Sequence, residues 1–188
     1  MATTSIDDDK ALAQACAAGK REAQREFYER YRTPLYRMAL RYARDEAEAE
    51  DFVHDGVVQA LQRVDRYKGT GPLGAWVRRV ALNQILMHLR QRPKISSLET
   101  SVTEPATEMN EEELQEMPPA TLHRLIRELP LGYRTVFSLY YLEEYDHARI
   151  ASKLGISVGS SKSQLSKARR ALRAAIRTQF PQLERFRK

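Results

Sequence analysis

Lys162, Ser163, Lys167, Arg169, Arg170 and Arg173 follow closely on Gly155 and Ser157. Side chains of these types bind phosphate oxygens and base edges; in this spacing none is set to make or break a covalent bond. The residues before them supply geometry. Ile150, Ala151 and Leu154 give a short helix one apolar face. Gly155 offers the positive φ that a tight helix–helix turn needs, and Ser157 is an N-cap for a second helix. That helix, from Val158 to about Ile176, carries Leu165, Ala168, Leu172 and Ile176 on one stripe and turns its basic residues mostly outward. A short helix, a glycine turn and a basic helix make a helix-turn-helix able to enter a DNA major groove.

A second constellation is acidic. In Glu48-Ala49-Glu50-Asp51-Phe52-Val53-His54-Asp55, Glu48, Asp51 and Asp55 share one helix face, with Glu50 and His54 beside them. Three readings are open. The helix macrodipole favours carboxylates near an N-terminus by about 0.3–1 kcal/mol each. The same face can dock on a basic partner surface. Asp51-x-x-His54 and Glu144-x-x-His147 also have the spacing of half-sites in di-metal helical oxidoreductases, although such a site needs carboxylates from two further core helices and no apolar stripe carries them.

A third set runs from Tyr67 to Arg92. Trp76 falls on an apolar stripe, while Arg78, Arg79, Asn83, Arg90 and Arg92 lie on the other side of that helix and Tyr67-Lys68 precede it. Aromatics interleaved with bases and amides stack on unpaired nucleobases and hold phosphates, so Trp76 reads equally as core or as DNA contact. His88 and His123 have no carboxylate or cysteine at ligand spacing and read as surface or packing residues. No nucleophile motif, catalytic acid pair or phosphate-cradling loop stands out, so no enzymatic activity, cofactor or metal is expected.

The elements that position these groups are helices. Phe27, Tyr31, Leu35, Met38 and Tyr42 make one stripe, with Pro34 placed to kink or split it. Val53, Val57, Ala60, Leu61 and Val64 make a second; Leu73, Trp76, Val77, Val80, Ala81, Ile85 and Leu89 make a third. The breaker-rich loop Tyr67-Lys68-Gly69-Thr70-Gly71-Pro72 separates these last two. An earlier helix over about Asp8–Gly19 is expected to pack through Leu12 and Ala15. Strand-like alternation is not sustained, so the fold class is all-α.

Charge divides the chain. Residues 1–92 carry a balance of +3, residues 93–120 carry −6, and residues 121–188 carry +9. The middle segment is rich in Ser, Thr, Glu and Pro and reads as an acidic flexible linker. The expected organisation is therefore two small helical domains, 8–92 and 121–178, joined by residues 93–120. From Arg149 to Lys188 the only acid is Glu184, which favours a polyanionic partner. The single Cys16 allows no intrachain disulfide and no cysteine-based zinc finger. Without an apolar run of membrane-spanning length or a secretory leader pattern at its start, the chain is expected in the cytoplasm, not inserted in a membrane.

Taken in order, these blocks resemble the extracytoplasmic-function group of bacterial RNA polymerase sigma factors. The N-terminal likeness is Phe27-Tyr28-Glu29-Arg30-Tyr31, Leu35-Tyr36, Ala49-Glu50-Asp51-Phe52-Val53 and Ala75-Trp76-Val77-Arg78-Arg79-Val80-Ala81 with Asn83. The C-terminal likeness runs from Leu129-Pro130 through Arg134 to Ala168-Arg169-Arg170. The resemblance implies that Glu50, Asp51, His54 and Asp55 dock on core RNA polymerase. It implies that the loop Tyr67, Lys68, Gly69 and Thr70 holds a flipped base of the promoter minus-ten element, with Trp76, Arg79 and Asn83 aiding melting and single-strand capture. It places Ser157, Ser160, Lys162, Ser163, Lys167 and Arg170 at the minus-thirty-five duplex, and it makes an anti-sigma protein a possible partner. A stand-alone helix-turn-helix regulator is the alternative, but it needs neither the acidic face nor the Trp76 block. Against the family pattern, His54 stands for a usual Gln and Gly56 interrupts the docking helix at about 1 kcal/mol relative to Ala. Ser161 puts a hydroxyl where an apolar side chain usually packs the second helix on the first.

Overall fold

Stripes of apolar residues three and four apart can be buried only by laying one helix against another, and the chain does this twice. A computed structural model describes residues 6–92 and 119–179; these are helical with no strand among them, and the chain divides into two compact units near Leu89. No helix among the described residues is long and apolar enough to cross a membrane.

The first unit contains α1 (Ile6–Ala17), α2 (Arg21–Ala39), α3 (Glu46–Gln62), a 3₁₀ turn (Val64–Arg66) and α4 (Leu73–Gln91). Phe27, Tyr31, Leu35, Met38 and Tyr42 are all buried, so the stripe expected from their spacing is the core face of α2 and the turn after it. Pro34 neither ends nor splits α2. It removes one backbone donor, but Tyr31, Leu35 and Met38 on either side are packed into the core and hold the helix through it. In α1, Leu12 is buried as expected, but Ala13 and Cys16 fill the contact assigned to Ala15, which is only half-buried.

The second and third stripes each turn slightly from their expected centres. Leu61 is half-buried, whereas Ala49, Phe52 and Gly56 join the buried face of α3. On α4 the core residues are Leu73, Val77, Ala81, Leu82, Ile85, Leu86 and Leu89, leaving Trp76 and Val80 on the shoulder. Gly56 is no defect in its helix. A Cβ there would stand 2.7 Å from Ala81 Cβ and 3.3 Å from Ala81 Cα, so the missing side chain is what allows α3 and α4 to touch at that point.

The second unit contains α5 (Pro119–Glu128), α6 (Leu131–Tyr141), α7 (His147–Leu154) and α8 (Val158–Gln179), with the other three packed on α8. Leu125, Ile126, Val136, Phe137, Leu139, Ile150, Leu165, Ala168 and Leu172 form its core. Helix α5 starts at Pro119, inside the stretch expected to be linker; residues 93–118 of that stretch lie outside the described residues. Arg134 is 7% exposed, and its guanidinium donates to the Arg127 carbonyl at 2.7 Å, pairing an acceptor in the last turn of α5.

Gly56→Ala tests the crossing. Helix propensity alone favours Ala by about 1 kcal/mol, yet overpacking at the crossing is expected to lower unfolding stability by about 1–3 kcal/mol. Denaturant titration reads the sign, and adding Ala81→Gly to the same chain is expected to restore part of the loss.

Candidate nucleic-acid and partner interfaces

The loop before α4 is built by contacts from both ends of its unit. Gly69 lies at φ +67, a left-handed conformation that favours glycine. Tyr67 Oη donates to the Gly71 carbonyl at 2.6 Å and so closes the loop on itself. The first amide of α4, Leu73 N–H, donates to Asp9 Oδ2 at 2.7 Å. Asp9 comes from α1, is 4% exposed, and meets Arg30 at 3.5 Å through its other oxygen; Arg30 also pairs with Glu26. A carboxylate from another helix therefore caps α4 and complements its dipole. Burial and the Asp9 charge together push the Tyr31 hydroxyl up to about 12. The same two causes, burial first, raise that of Tyr67.

On this frame Lys68, Thr70, Arg79 and Asn83 are exposed, while Tyr67 and Gly69 are partly so. Trp76 is half-buried, with its ring centre 6.0 Å from that of Tyr67. The core reading of its spacing is thus met only in part, since the indole is half-buried beside the loop.

The acidic face is narrower than its spacing suggests. Asp45 caps α3 by accepting from Glu48 N–H at 2.8 Å. Glu48 itself turns back to Arg44, accepting from its backbone at 2.6 Å and its guanidinium at 3.0 Å. Asp55 pairs with His88 Nε2 at 3.2 Å, and the imidazole lies 5.8 Å from the Phe52 ring. His88, read from the sequence as without a carboxylate, finds one on a neighbouring helix. Glu50, Asp51 and His54 remain exposed, lining a groove of about 540 Å³ with Tyr28, Arg32, Thr33, Tyr36 and Val53 between α2 and α3. Among the described residues no cluster of three His, Cys, Asp or Glu side chains is placed to hold a metal ion.

In the second unit Gly155 and Ser157 shape the helix-turn-helix as expected from the sequence, and Asp146 adds a cap not expected from it. Asp146 caps α7, accepting from Arg149 N–H at 2.7 Å. Gly155 takes φ +69 at the end of α7, and its N–H and that of Ile156 both reach the Ala151 carbonyl. Ser157 Oγ accepts from Ser160 N–H at 2.9 Å and opens α8. Lys162, Ser163 and Arg170 are exposed on α8, and so is Ser157; Ser160 and Lys167 are half-buried. Arg169 turns inward instead, donating to Tyr141 Oη at 2.8 Å with its guanidinium 5.4 Å from that ring. Ser161, fully buried, meets His147 Nδ1 at 2.9 Å, and the His147 ring stacks on Tyr140 at 5.1 Å. Its hydroxyl is therefore matched rather than stranded. Partial burial, then Lys162 and Arg169, lower the His147 pKa from 6.5, with Asp146 opposing them.

The same two segments match known families. The model of Sigma-70 region 2 matches residues 27–94, and that of Sigma-70, region 4 matches residues 120–172. The ECF RNA polymerase sigma factor SigL of Mycobacterium tuberculosis is 31% identical over 175 residues, covering 88% of this chain and 96% of the relative. SigW of Bacillus subtilis, also named an ECF RNA polymerase sigma factor, is 26% identical over 171 residues, covering 85% and 91%. Among solved structures, CnrH in complex with the cytosolic domain of CnrY is similar at 24% identity, covering 90% of this chain and 97% of that one, with a TM-score of 0.47.

The lowered His147 pKa fixes the sign of a pH effect. Above 6.5 the ring is neutral in folded and unfolded chains alike. Below it the unfolded chain takes up the proton first, so stability falls as pH drops toward the folded value. A stability profile from about pH 7 to about pH 5.5 is expected to fall less steeply in His147→Gln than in the parent.

Proposed function

The chain belongs to the ECF RNA polymerase sigma factors, and from that premise we propose how its residues divide the work of starting transcription. As a sigma factor it directs RNA polymerase to promoters for initiation. The observation that carries the division of labour is a pair of different surfaces on capped helices: the α2–α3 groove, which exposes Glu50 and Asp51, and the basic face of α8.

Glu50, Asp51 and His54 dock on a basic surface of core polymerase, with Asp55 steadied behind them by His88. Tyr67, Lys68, Gly69 and Thr70 hold an unstacked base of the minus-ten element. Trp76 supplies a stacking face and Arg79 a cation, and Asn83 offers an amide to the same strand. Helix α8 enters the major groove of the minus-thirty-five element. Ser157 and Ser160 lie at its first turn, and Lys162, Ser163, Lys167 and Arg170 contact bases or phosphates. The protein catalyses nothing; the polymerase supplies the chemistry, and both act in the cytoplasm. An anti-sigma protein covering the α2–α3 groove would keep it from core.

Transcription by core polymerase of the source organism, with and without the protein, tests this directly. New RNA starts that share two upstream motifs are expected. Absence of both core binding and new starts would remove the docking and promoter assignments together. The double variant Glu50→Lys with Asp51→Lys is expected to fold normally and lose core affinity; normal binding would reject the groove as the docking site. Lys162→Ala is expected to reduce the slope of log K against log salt on minus-thirty-five duplex by about one. Equal slopes would remove Lys162 from the phosphate contacts.

A further inference from the structure

The region 2 match begins at residue 27, so α1 has been given no part in the function. Its packing argues otherwise. Asp9 spends one carboxylate oxygen on the Leu73 amide and the other on Arg30, which fixes α1 against the start of α4. Lys10, the next residue, is exposed, and its stem crosses the base-holding loop. A Cβ at Gly69 would run into Lys10 Cε, with Cγ and Cδ at 3.0 and 3.1 Å. The space above the left-handed glycine is thus taken by the lysine stem.

A lysine that lays its methylenes on a surface keeps its ammonium in water at the edge of that surface. Here that edge is the loop between exposed Lys68 and exposed Thr70. Among the acids of the same turn, Asp9 is already committed. At 100° per residue Asp8 falls on the flank of α1 opposite Lys10, whereas Asp7, three residues back, shares the face of Lys10 and is the exposed acid beside it. We propose that α1 forms one wall of the single-strand surface, with Lys10 binding a phosphate of the DNA strand whose base the loop holds. The proposal rests on the loop assignment above and adds a helix outside the matched segment to it.

The test separates the charge from the stem. Lys10→Met keeps the methylenes over Gly69 and removes the ammonium; Lys10→Arg restores a cation. Each is bound to core polymerase and titrated with a labelled single strand carrying the minus-ten sequence upstream of a mapped start, at several salt concentrations. Lys10→Met is expected to bind several-fold more weakly at low salt, with a slope of log K on log salt smaller by about 0.7, the signature of one single-strand phosphate. Its thermal unfolding is expected to match the parent, and Lys10→Arg is expected to recover the slope. A parental slope in Lys10→Met overturns the proposal and leaves Lys10 a filler for the loop. Lys68→Ala runs beside it: if Lys68→Ala loses affinity and Lys10→Met does not, only the α1 wall falls. If neither loses affinity, the loop assignment falls as well.

Discussion

Backbone groups at helix ends have no partner inside the helix, and each surface assigned a role in this chain begins where such an end has been satisfied. Asp45 and Asp146 cap α3 and α7 from the adjacent residue, and Ser157 caps α8 in the same way. Helix α4 is different, because its first amide is taken by Asp9 of α1. Arg134 does the converse for the last turn of α5. The loop ahead of α4 therefore hangs between two fixed points, the 3₁₀ turn after α3 and the Asp9 carboxylate. A loop held in this way presents backbone and side chains without ordering them again for each ligand, which lowers the entropy lost on binding.

The same constraint explains what could be read from the sequence. A cap such as Ser157 bonds three residues ahead, and an apolar stripe repeats every three or four, so both are local and visible in the residue order. All of α2's expected stripe is buried, and the helix-turn-helix turns at Gly155 and Ser157 as expected, with α8 running on past Ile176 to Gln179. Asp9 and Leu73 stand 64 positions apart, and nothing near either names the other. The residue order made Gly56 look like a cost because propensity counts only its own helix; the gain lies in Ala81 of another. Arg169 pointed outward by helical geometry but had Tyr141 within reach across α6. Nothing in the order of Asp7, Asp8 and Asp9 singles out the last as the buried member.

Charge alone overstates the acidic face for a related reason. Glu48 is paired with the Arg44 guanidinium, and a carboxylate matched in this way contributes little field at a distance; Asp55 is turned to the His88 ring. What remains at the groove is a mixed surface. Glu50 and Asp51 stand near Arg32, with the rings of Tyr28 and Tyr36 alongside. Such a lining suits a partner with both cationic and apolar groups, because each charge can be matched while aromatic area is buried. Steering by net charge and recognition by shape thus reside on one wall of the unit.

The bond between Ser161 and His147 carries one more consequence. Apolar helix packing tolerates small rolls about the helix axis, since methyl contacts have no preferred direction. A hydroxyl shared with an imidazole nitrogen does have one, and the ring is itself clamped flat on Tyr140. The azimuth of α8, the helix proposed to enter the major groove, is therefore latched from behind. If α8 reads bases as proposed, altering that latch would change which edges it meets while leaving each proposed contact residue in place.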